Sequence, residues 1–295
     1  MIVLEVLSEK ILVIGSGFLG SNVSYEFNFI GNIVTQTNIK KIQKNSYELD
    51  ITNERMVKIC FEKIRPDIII NCAGNTDIDF LEKNPQLAYS VNGQGVRNLA
   101  IATQKFRARL IHISTDGIFD GIHGNYTEDD KPNPINVYAR SKLMGEEEAI
   151  KNCENYVVIR TNFYGHHPNE KFLFNSILTN LREGKQFTGF NDVVFTPLEI
   201  SNLAELISDV AFSNYNGILN LSANEPLTKY QFCFHMANIL GFDPNLIKKG
   251  SIDEIGFIAQ RPKNTSLNNT RSKHIIRHKI ISFTDWLLKI KNSIQ

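Results

Sequence analysis

The residues best suited to chemistry are a tyrosine and a lysine four positions apart, Tyr138 and Lys142. On a helix, positions i and i+4 share one face, so the lysine ammonium can lie beside the phenol. A free tyrosine has a pKa of about 10, and a nearby cation is expected to lower that pKa toward the range useful for general acid–base catalysis. The Tyr-x-x-x-Lys pattern is common by chance, so alone it indicates little.

A hydroxyl group upstream makes the pair more informative. The segment HISTD, residues 112–116, closes a predicted strand and places the Thr115 hydroxyl at the carboxyl end of that strand. A hydroxyl there can hydrogen-bond a substrate carbonyl while Tyr138 delivers a proton. We therefore predict that Thr115, Tyr138 and Lys142 form a proton-transfer site.

A glycine-rich turn, GSGFLG at residues 15–20, fits the G-x-G-x-x-G pattern. Glycine is needed in this pattern because the backbone turns tightly and approaches a pyrophosphate at a helix N-terminus. The pattern is weak alone, but here it follows the first predicted strand of a β-α-β alternation. It predicts a dinucleotide site formed by Gly15, Gly17, Phe18, Leu19 and Gly20.

The end of the second predicted strand indicates which dinucleotide binds. A site that prefers NAD(H) usually has an acidic residue there for the ribose hydroxyls. Residues 35–41, TQTNIKK, contain no acid, and Lys40 and Lys41 either neutralise a 2′-phosphate or merely coat a surface loop. We therefore expect NADP(H) to be favoured over NAD(H). Asp50 and Ile51 follow, where the carboxylate could accept a hydrogen bond from the adenine amino group.

The elements that position these residues are short apolar runs alternating with helical patterns. Predicted strands lie at residues 10–15, 32–36, 65–74, 108–115 and 155–161, and predicted helices include 84–104 and 141–151. This order predicts an α/β fold, a doubly wound parallel (Rossmann) sheet whose carboxyl edge binds ligands. The residue pattern in the second half of the chain predicts a smaller, mostly helical portion. We expect an NADP(H)-binding domain with the catalytic residues at 1–165 and a substrate-binding portion at 166–295, with interleaved boundaries.

Composition excludes several classes of protein. The net charge of +1 argues against a dedicated nucleic-acid binder. No stretch approaches the roughly 20 apolar residues of a membrane span, so we expect a cytoplasmic protein. The four cysteines are far apart, and His166 and His167 lack neighbouring carboxylates or cysteines, so no metal site is predicted. The acidic run 146–148 is expected to be a solvated helix face.

Several longer stretches resemble one family. They are PDIIINCAG (66–74), ISTDGIFDG (113–121), NVYARSKLMGE (136–146), IRT (159–161) and Arg261-Pro262 with Ser266-Leu267. Together they resemble the dTDP-4-dehydrorhamnose reductase family of the extended short-chain dehydrogenase/reductase superfamily, over about residues 11–275. The resemblance implies NAD(P)H-dependent reduction of a 4-keto-6-deoxysugar on a nucleotide diphosphate, catalysed by Thr115, Tyr138 and Lys142.

The resemblance also implies further site residues. Asn71, Ala73 and Gly74 would line the cofactor, and Asn92 would support the proton path of the lysine. The substrate would be bound by Thr76, Asp116, Phe163 and Arg261. Of these, Arg261 has a planar fork of donors suited to a diphosphate. The formation of a homodimer stays open.

The sequence departs from the family around the expected sugar pocket. Gly117 replaces the usual aromatic residue after Ser-Thr-Asp, and Asn162-Phe163 replaces the common Ser-Trp after Arg-Thr. The reaction class is therefore better supported than the identity of the sugar. Two alternatives stay open: a non-catalytic NADP-binding protein like the regulatory beta subunit of methionine adenosyltransferase, and a related sugar-nucleotide epimerase or dehydratase.

Overall fold

The computed structural model describes residues 9–39, 46–167 and 172–294. Its strands are β1 Lys10–Ile14, β2 Ile33–Asn38, β3 Ser46–Glu48, β4 Ile68–Asn71, β5 Arg109–Ile113, β6 Tyr156–Arg160, β7 Phe163–Tyr164, β8 Phe187–Phe190, β9 Val194–Phe195, β10 Leu198–Glu199, β11 Gly217–Asn220, β12 Leu227–Thr228 and β13 Ile247–Gly250. Its α-helices are α1 Phe18–Phe29, α2 Glu54–Ile64, α3 Ile78–Lys83, α4 Pro85–Tyr89, α5 Gly95–Phe106, α6 Val137–Asn152, α7 Leu173–Arg182, α8 Ile200–Ala211, α9 Lys229–Leu240 and α10 Phe283–Ile294.

A seven-stranded parallel sheet has the order β11-β6-β5-β4-β1-β2-β3. The chain winds outward from β1 to β3 on one side and from β4 to β11 on the other, which confirms the predicted doubly wound α/β fold. The register places Ile14 beside Thr37 and Asn71. The carboxyl ends of β1, β2 and β4 therefore meet at the edge where ligands bind in such folds.

The central strands are continuous apolar runs because helices cover both faces of the sheet. Ile11, Leu12 and Val13 of β1 are completely buried. α1 and α8 pack on one face through residues such as Val23 and Leu203, and α2, α5 and α6 pack on the other. These two apolar layers hold the strand ends in a fixed position.

Two predicted helices differ in detail from the expectation. α6 begins at Val137, earlier than predicted, because the Asn136 side chain caps it by accepting a hydrogen bond from the Ala139 N–H at 2.9 Å. The predicted helix at 84–104 is divided by a π-helical turn, Ser90–Gln94. In this turn Gly93 packs so tightly on α6 that a Cβ would lie 2.5 Å from the Met144 sulfur.

The smaller part of the chain holds α7, α9 and α10 around a separate apolar core that includes Phe174, Phe232 and Trp286. It contains more strand than expected, since among the described residues β7 pairs with β10, β8 with β13 and β9 with β12. α8 and β11 return to the large sheet, so part of 166–295 packs with the larger unit. The division at residue 165 stays a proposal.

A buried ion pair joins α6 to the large sheet. The Arg160 guanidinium donates to both carboxylate oxygens of Glu146, with the shortest contact at 2.8 Å, and the two side chains are only 2% and 1% exposed. The Ser114 hydroxyl donates to the same carboxylate at 2.5 Å. The expectation that Glu146 lies on a solvated face is wrong, because the carboxylate turns into the core toward Arg160. Its neighbour Glu147 is exposed.

We expect Glu146→Ala to lower the free energy of unfolding by about 3–5 kcal/mol, because it leaves the Arg160 charge buried without its partner. Glu147→Ala is the matched control and is expected to change this free energy by less than about 0.5 kcal/mol. Urea unfolding followed by circular dichroism measures both effects. Similar small losses in the two variants would contradict the structural role assigned to the pair.

Candidate functional site

The glycine-rich turn after β1 is closed by backbone contacts. Gly15 has a φ of +96°, and a Cβ there would lie 3.1 Å from the Ala73 backbone nitrogen. A Cβ at Gly20 would lie 2.2 Å from the Gly15 carbonyl oxygen, so α1 packs directly on the turn. Gly17, which caps α1, has nothing within 4 Å of its Cβ position. The turn is therefore open only at the helix N-terminus, where an anionic group can approach.

A groove of about 560 Å³ runs from this turn along the carboxyl ends of β1, β2 and β4. The Asp50 Oδ1 atom accepts hydrogen bonds from the Thr52 N–H and hydroxyl, at 2.9 and 2.7 Å. β2 ends at Asn38, whose amide donates to the Ser16 hydroxyl. Lys40 and Lys41 lie outside the described residues. The predicted cofactor residues that line the groove are Gly15, Gly17, Asp50, Ile51, Ala73 and Gly74.

Among the described residues, five other predicted cofactor residues do not line this groove: Phe18, Leu19, Gly20, Asn71 and Asn92. Leu19 is buried in the core, and the Phe18 ring packs against Phe172 with a centroid separation of 4.9 Å. Asn71 is completely buried, where its amide contacts His112 Nδ1 at 3.1 Å and accepts from the Ala73 N–H at 3.1 Å. Asn71 therefore fixes the wall of the groove from behind.

Asn92 lies in the π-helical turn and clamps the loop after β4 to α6. Its side chain accepts from the Asn75 N–H at 3.0 Å, and it donates to the Asn75 carbonyl at 3.1 Å and the Ser141 hydroxyl at 2.9 Å. A Cβ on Gly74 would lie 3.2 Å from Asn92 Oδ1 and 4.0 Å from Lys142 Nζ. The clamp thus holds the groove wall close to the lysine.

Thr115 and Tyr138 come together at the carboxyl end of β5. The Thr115 hydroxyl accepts a hydrogen bond from the Gly117 N–H at 3.1 Å and donates one to the Asp116 carboxylate at 3.2 Å, beside the Tyr138 phenol. Burial raises the pKa of Tyr138 to about 12, although the neighbouring Thr115 hydroxyl opposes this rise. The phenol therefore keeps its proton at neutral pH.

Lys142 lies one helical turn after Tyr138, and its ammonium donates to the Ile113 carbonyl at 2.6 Å. Burial lowers the pKa of Lys142 to about 8, with the Glu146 carboxylate opposing the decrease. The expected lowering of the Tyr138 pKa by this ammonium is wrong for this structure. The cost of burying a phenolate is the larger effect, so the tyrosine pKa rises.

A cavity of about 540 Å³ lies between the carboxyl end of β5 and the smaller part of the chain. Thr76 lines both this cavity and the groove, so the two spaces adjoin there. The predicted residues that line the cavity are Thr76, Thr115, Asp116, Tyr138 and Arg261.

Phe163, the remaining predicted substrate residue, does not line this cavity. Its ring lies 6.4 Å from the Phe18 ring and packs on the core of the large sheet. Asn162 lines the cavity instead, and its amide donates to the Asp116 carboxylate at 3.0 Å. Successive side chains of an extended segment point to opposite sides, which is why the two residues separate.

Arg261 lies at the edge of the cavity and pairs with Asp79 on α3, at 3.0 Å. Its guanidinium carbon is 4.8 Å from the centroid of the Phe257 ring. The Ala259 N–H donates to the Asp79 carboxylate at 2.9 Å, and this bond together with the Arg261 charge lowers the pKa of Asp79. These contacts hold the loop that carries Arg261 against the large sheet's helices.

Sequence reasoning missed the polar residues that line the cavity from the smaller part, which are Ser176, Asn180, Thr188, Lys229 and Thr265. Two of them, Thr265 and Lys229, act on Asp116. The Thr265 hydroxyl donates to the Asp116 carboxylate at 2.7 Å, while burial raises the pKa of that carboxyl. Lys229 begins α9 and also lines the cavity. The capping box of Thr228 and Gln231 marks the start of α9 in the sequence. No local pattern, however, connects this helix start with Asp116.

One protein family matches the part of the chain that contains all the site residues described above. The model of the RmlD substrate binding domain family matches residues 9–295. This chain belongs to that family. The match extends over both the glycine turn and the cavity, so the groove and the cavity are parts of one family fold.

Individual relatives agree with this assignment. A probable low-salt glycan biosynthesis reductase of Haloferax volcanii is 30% identical, over 75% of this chain and 76% of its own length. The methionine adenosyltransferase 2 subunit beta of Xenopus laevis is 29% identical, over 88% of this chain and 80% of its own length. A crystal structure of dTDP-4-dehydrorhamnose reductase from Bacillus anthracis in complex with NADP superposes with a TM-score of 0.88 at 28% identity, covering 97% of this chain and 100% of that chain.

Among the described residues, no helix has the length and apolar character needed to cross a membrane. Within the same residues, no three His, Cys, Asp or Glu side chains are grouped so that they could hold a metal ion.

We expect Gly20→Ala to lower the free energy of unfolding by about 1–3 kcal/mol, because the new methyl group would overlap the Gly15 carbonyl oxygen and push α1 off the turn. Gly17→Ala is the matched control in the same turn. Its Cβ enters open space, so we expect a change below about 0.5 kcal/mol. Urea unfolding compares the two variants, and equal stability would argue against the tight packing.

Proposed function

We propose that this protein is an NADPH-dependent reductase of a 4-keto-6-deoxysugar carried on a nucleoside diphosphate, like dTDP-4-dehydrorhamnose reductase. The observation that carries the proposal is the position of Thr115 and Tyr138, whose hydroxyl groups line a cavity that adjoins the groove at the glycine turn. A dinucleotide in the groove would place its reactive end beside a sugar in the cavity. Membership of the RmlD family supports this arrangement.

The groove fits a dinucleotide in its chemistry. The open Cα of Gly17 at the start of α1 suits a pyrophosphate, and the Asp50 Oδ2 atom has no hydrogen bond from the described residues, so it is available to an adenine amino group. β2 ends in Asn38, an uncharged side chain, which favours NADPH over NADH because no carboxylate there repels a 2′-phosphate. NADPH, when bound, supplies a hydride to the substrate carbonyl.

The chain's own groups supply the proton and the polarisation of the carbonyl. Tyr138 holds its proton at neutral pH, so its phenol can donate that proton to the carbonyl oxygen. The Thr115 hydroxyl lies beside the phenol and donates to the Asp116 carboxylate at 3.2 Å, and by rotating its proton it can donate to the same carbonyl oxygen. Lys142 keeps a positive charge behind them at pH 7, since its pKa is about 8. Tyr138 is thus the general acid, and Thr115 and Lys142 position it and supply positive charge nearby.

The cavity suits a sugar nucleotide. Thr76, Asp116 and Asn162 offer polar groups near Tyr138, and Arg261 at the edge offers donors for a diphosphate. The remaining lining includes further polar side chains, such as Ser176, Asn180 and Thr188, and apolar ones, among them Ile177, Phe190, Val193 and Phe195. An apolar wall is compatible with the methyl group of a 6-deoxysugar. The cytoplasmic location and the homodimer stay predictions from the sequence.

We expect Tyr138→Phe to lower the rate of NADPH consumption with dTDP-4-dehydrorhamnose by about 10²–10⁴-fold, because proton donation is lost. Its affinity for NADPH is expected to stay within about twofold of the wild type, since the phenol lies in the cavity. Tyr89→Phe is the matched control, as Tyr89 packs in the same apolar cluster as Tyr138 without lining the cavity. Absorbance at the NADPH band measures turnover, and NADPH fluorescence measures affinity.

The same assay separates the remaining alternatives. Near-normal turnover in Tyr138→Phe would refute the catalytic assignment. A wild-type protein that binds NADPH yet consumes none with any 4-keto sugar nucleotide would favour a non-catalytic protein, the role suggested by the relative named as a methionine adenosyltransferase subunit. NADH in place of NADPH is expected to lower kcat/KM at least about tenfold, and equal values would remove the cofactor preference.

The affinity for NADPH should depend on the charge of Lys142, which lies directly behind the groove wall, since a Cβ on the groove residue Gly74 would be 4.0 Å from Lys142 Nζ. A lysine is charged below its pKa, and this one has a pKa lowered to about 8, so the charge is lost as the pH rises through that value. We therefore expect the affinity to be constant from about pH 7 to 7.5 and to fall several-fold by about pH 9.5. Exposed lysines keep their charge to about pH 10, so they do not produce this decrease. Lys142→Met should bind more weakly with a flat profile, and a flat profile in the wild type would contradict the assignment.

A further inference from the structure

Lys229 presents an unpaired ammonium to the substrate cavity. It begins α9, and its Nζ atom lies 3.4 Å from the centroid of the Phe195 ring, so the aromatic face covers one side of the charge. Within the described residues, Nζ has no hydrogen bond and no ion pair. Arg261, the other cation at the cavity, is already paired with Asp79. An ammonium held in this way lacks the partners that water would give it, and a bound ligand can supply them.

The carboxylate of Asp116 faces the same end of the cavity. It accepts hydrogen bonds from Thr265, Asn162 and Thr115, at 2.7, 3.0 and 3.2 Å. Lys229 and Asp116 attract each other, and this attraction raises the otherwise lowered pKa of the lysine, yet the two groups form no direct ion pair among the described contacts. Opposite charges that line one cavity without a direct ion pair leave room for a polar ligand group between them.

We propose that Lys229 is a specificity residue that binds a ring hydroxyl of the sugar, close to the carbon that is reduced. This inference rests on the proposed function. A hydroxyl can accept a hydrogen bond from the ammonium and donate one to the Asp116 carboxylate, so it satisfies both groups. A keto oxygen only accepts, and a methyl group does neither. Asp116 directly follows Thr115 in the chain, which places the bridging hydroxyl beside the reacting carbonyl.

A diphosphate is the competing ligand for an unpaired lysine, and the surroundings favour the sugar. The Asp116 carboxylate would repel a second anion placed against Lys229, whereas it accepts a hydrogen bond from a neutral hydroxyl. Arg261, held by Asp79 at the edge of the cavity, is the better placed group for the diphosphate. Lys229 would then bind the sugar and Arg261 the diphosphate of one substrate.

The test compares two ligands that differ only in the sugar, dTDP-L-rhamnose and dTDP, titrated calorimetrically into protein saturated with NADP⁺. Lys229→Met keeps the unbranched side chain and removes the charge. We expect it to weaken dTDP-L-rhamnose by about tenfold to hundredfold, the effect of losing one charge-assisted hydrogen bond, and to change dTDP by less than about twofold. Lys249→Met is the matched control, since Lys249 lies 4.9 Å from the Tyr230 ring centroid, is exposed and does not line the cavity.

The affinity for NADP⁺ reports whether each variant is folded, because the groove that binds it does not include Lys229. If Lys229→Met fails this check, Lys229→Gln carries the comparison, with a smaller loss expected because an amide still donates. Unchanged binding of dTDP-L-rhamnose, or equal losses for dTDP-L-rhamnose and dTDP, would overturn the inference. A wild-type protein that binds neither ligand would instead overturn the proposed function.

Discussion

The ion pair between Arg160 and Glu146 is buried at the point where the helix that carries Tyr138 meets the large sheet. It joins the end of β6 to α6, and Ser114 adds a hydrogen bond from the end of β5 to the same carboxylate. Thr115 follows Ser114, and Tyr138 stands on α6, so these contacts connect the two elements that carry the threonine hydroxyl and the phenol. A buried pair adds little net stability, but a helix position that separated the two charges would be costly. The geometry of the site is therefore fixed by an electrostatic penalty against other positions of α6.

The same low-dielectric surroundings determine the protonation of the groups above this pair. Burial raises the pKa of Tyr138 to about 12 and lowers the pKa of Lys142 and of Lys229 to about 8. In each case burial favours the neutral form of the side chain over the charged form, because a charge in a poorly solvated site is costly. The tyrosine therefore stays a proton donor at neutral pH. The two lysine ammonium groups are poorly solvated, so a hydrogen bond to a nearby oxygen atom stabilises their charged form strongly.

The cavity depends on contacts between distant parts of the chain. Thr265 reaches back to Asp116 beside β5, and Ala259 donates to Asp79 on α3. The Asn136 side chain, which caps α6, also donates to the carbonyl of Gln260. These bonds fasten the loop before α10 to the carboxyl edge of the large sheet. The cavity is consequently a property of the whole described chain, and a division near residue 165 does not separate a complete site.

The α/β fold and the glycine turn were predictable from the amino-acid sequence because they follow from local requirements, and the same local reasoning put Tyr138 and Lys142 on one helix face after Thr115 at a strand end. A tight turn needs glycine, buried parallel strands need continuous apolar runs, and a helix places positions i and i+4 on one face. It is the folded chain that buries Glu146, turns Asn162 rather than Phe163 toward the cavity, raises the Tyr138 pKa and brings Lys229 and Asp116 to one cavity. Each of these depends on which distant residues surround a side chain, and burial and charge come from those neighbours. The periodicity of a sequence indicates which side of a helix or strand is apolar, but it does not indicate which distant residues pack against that side.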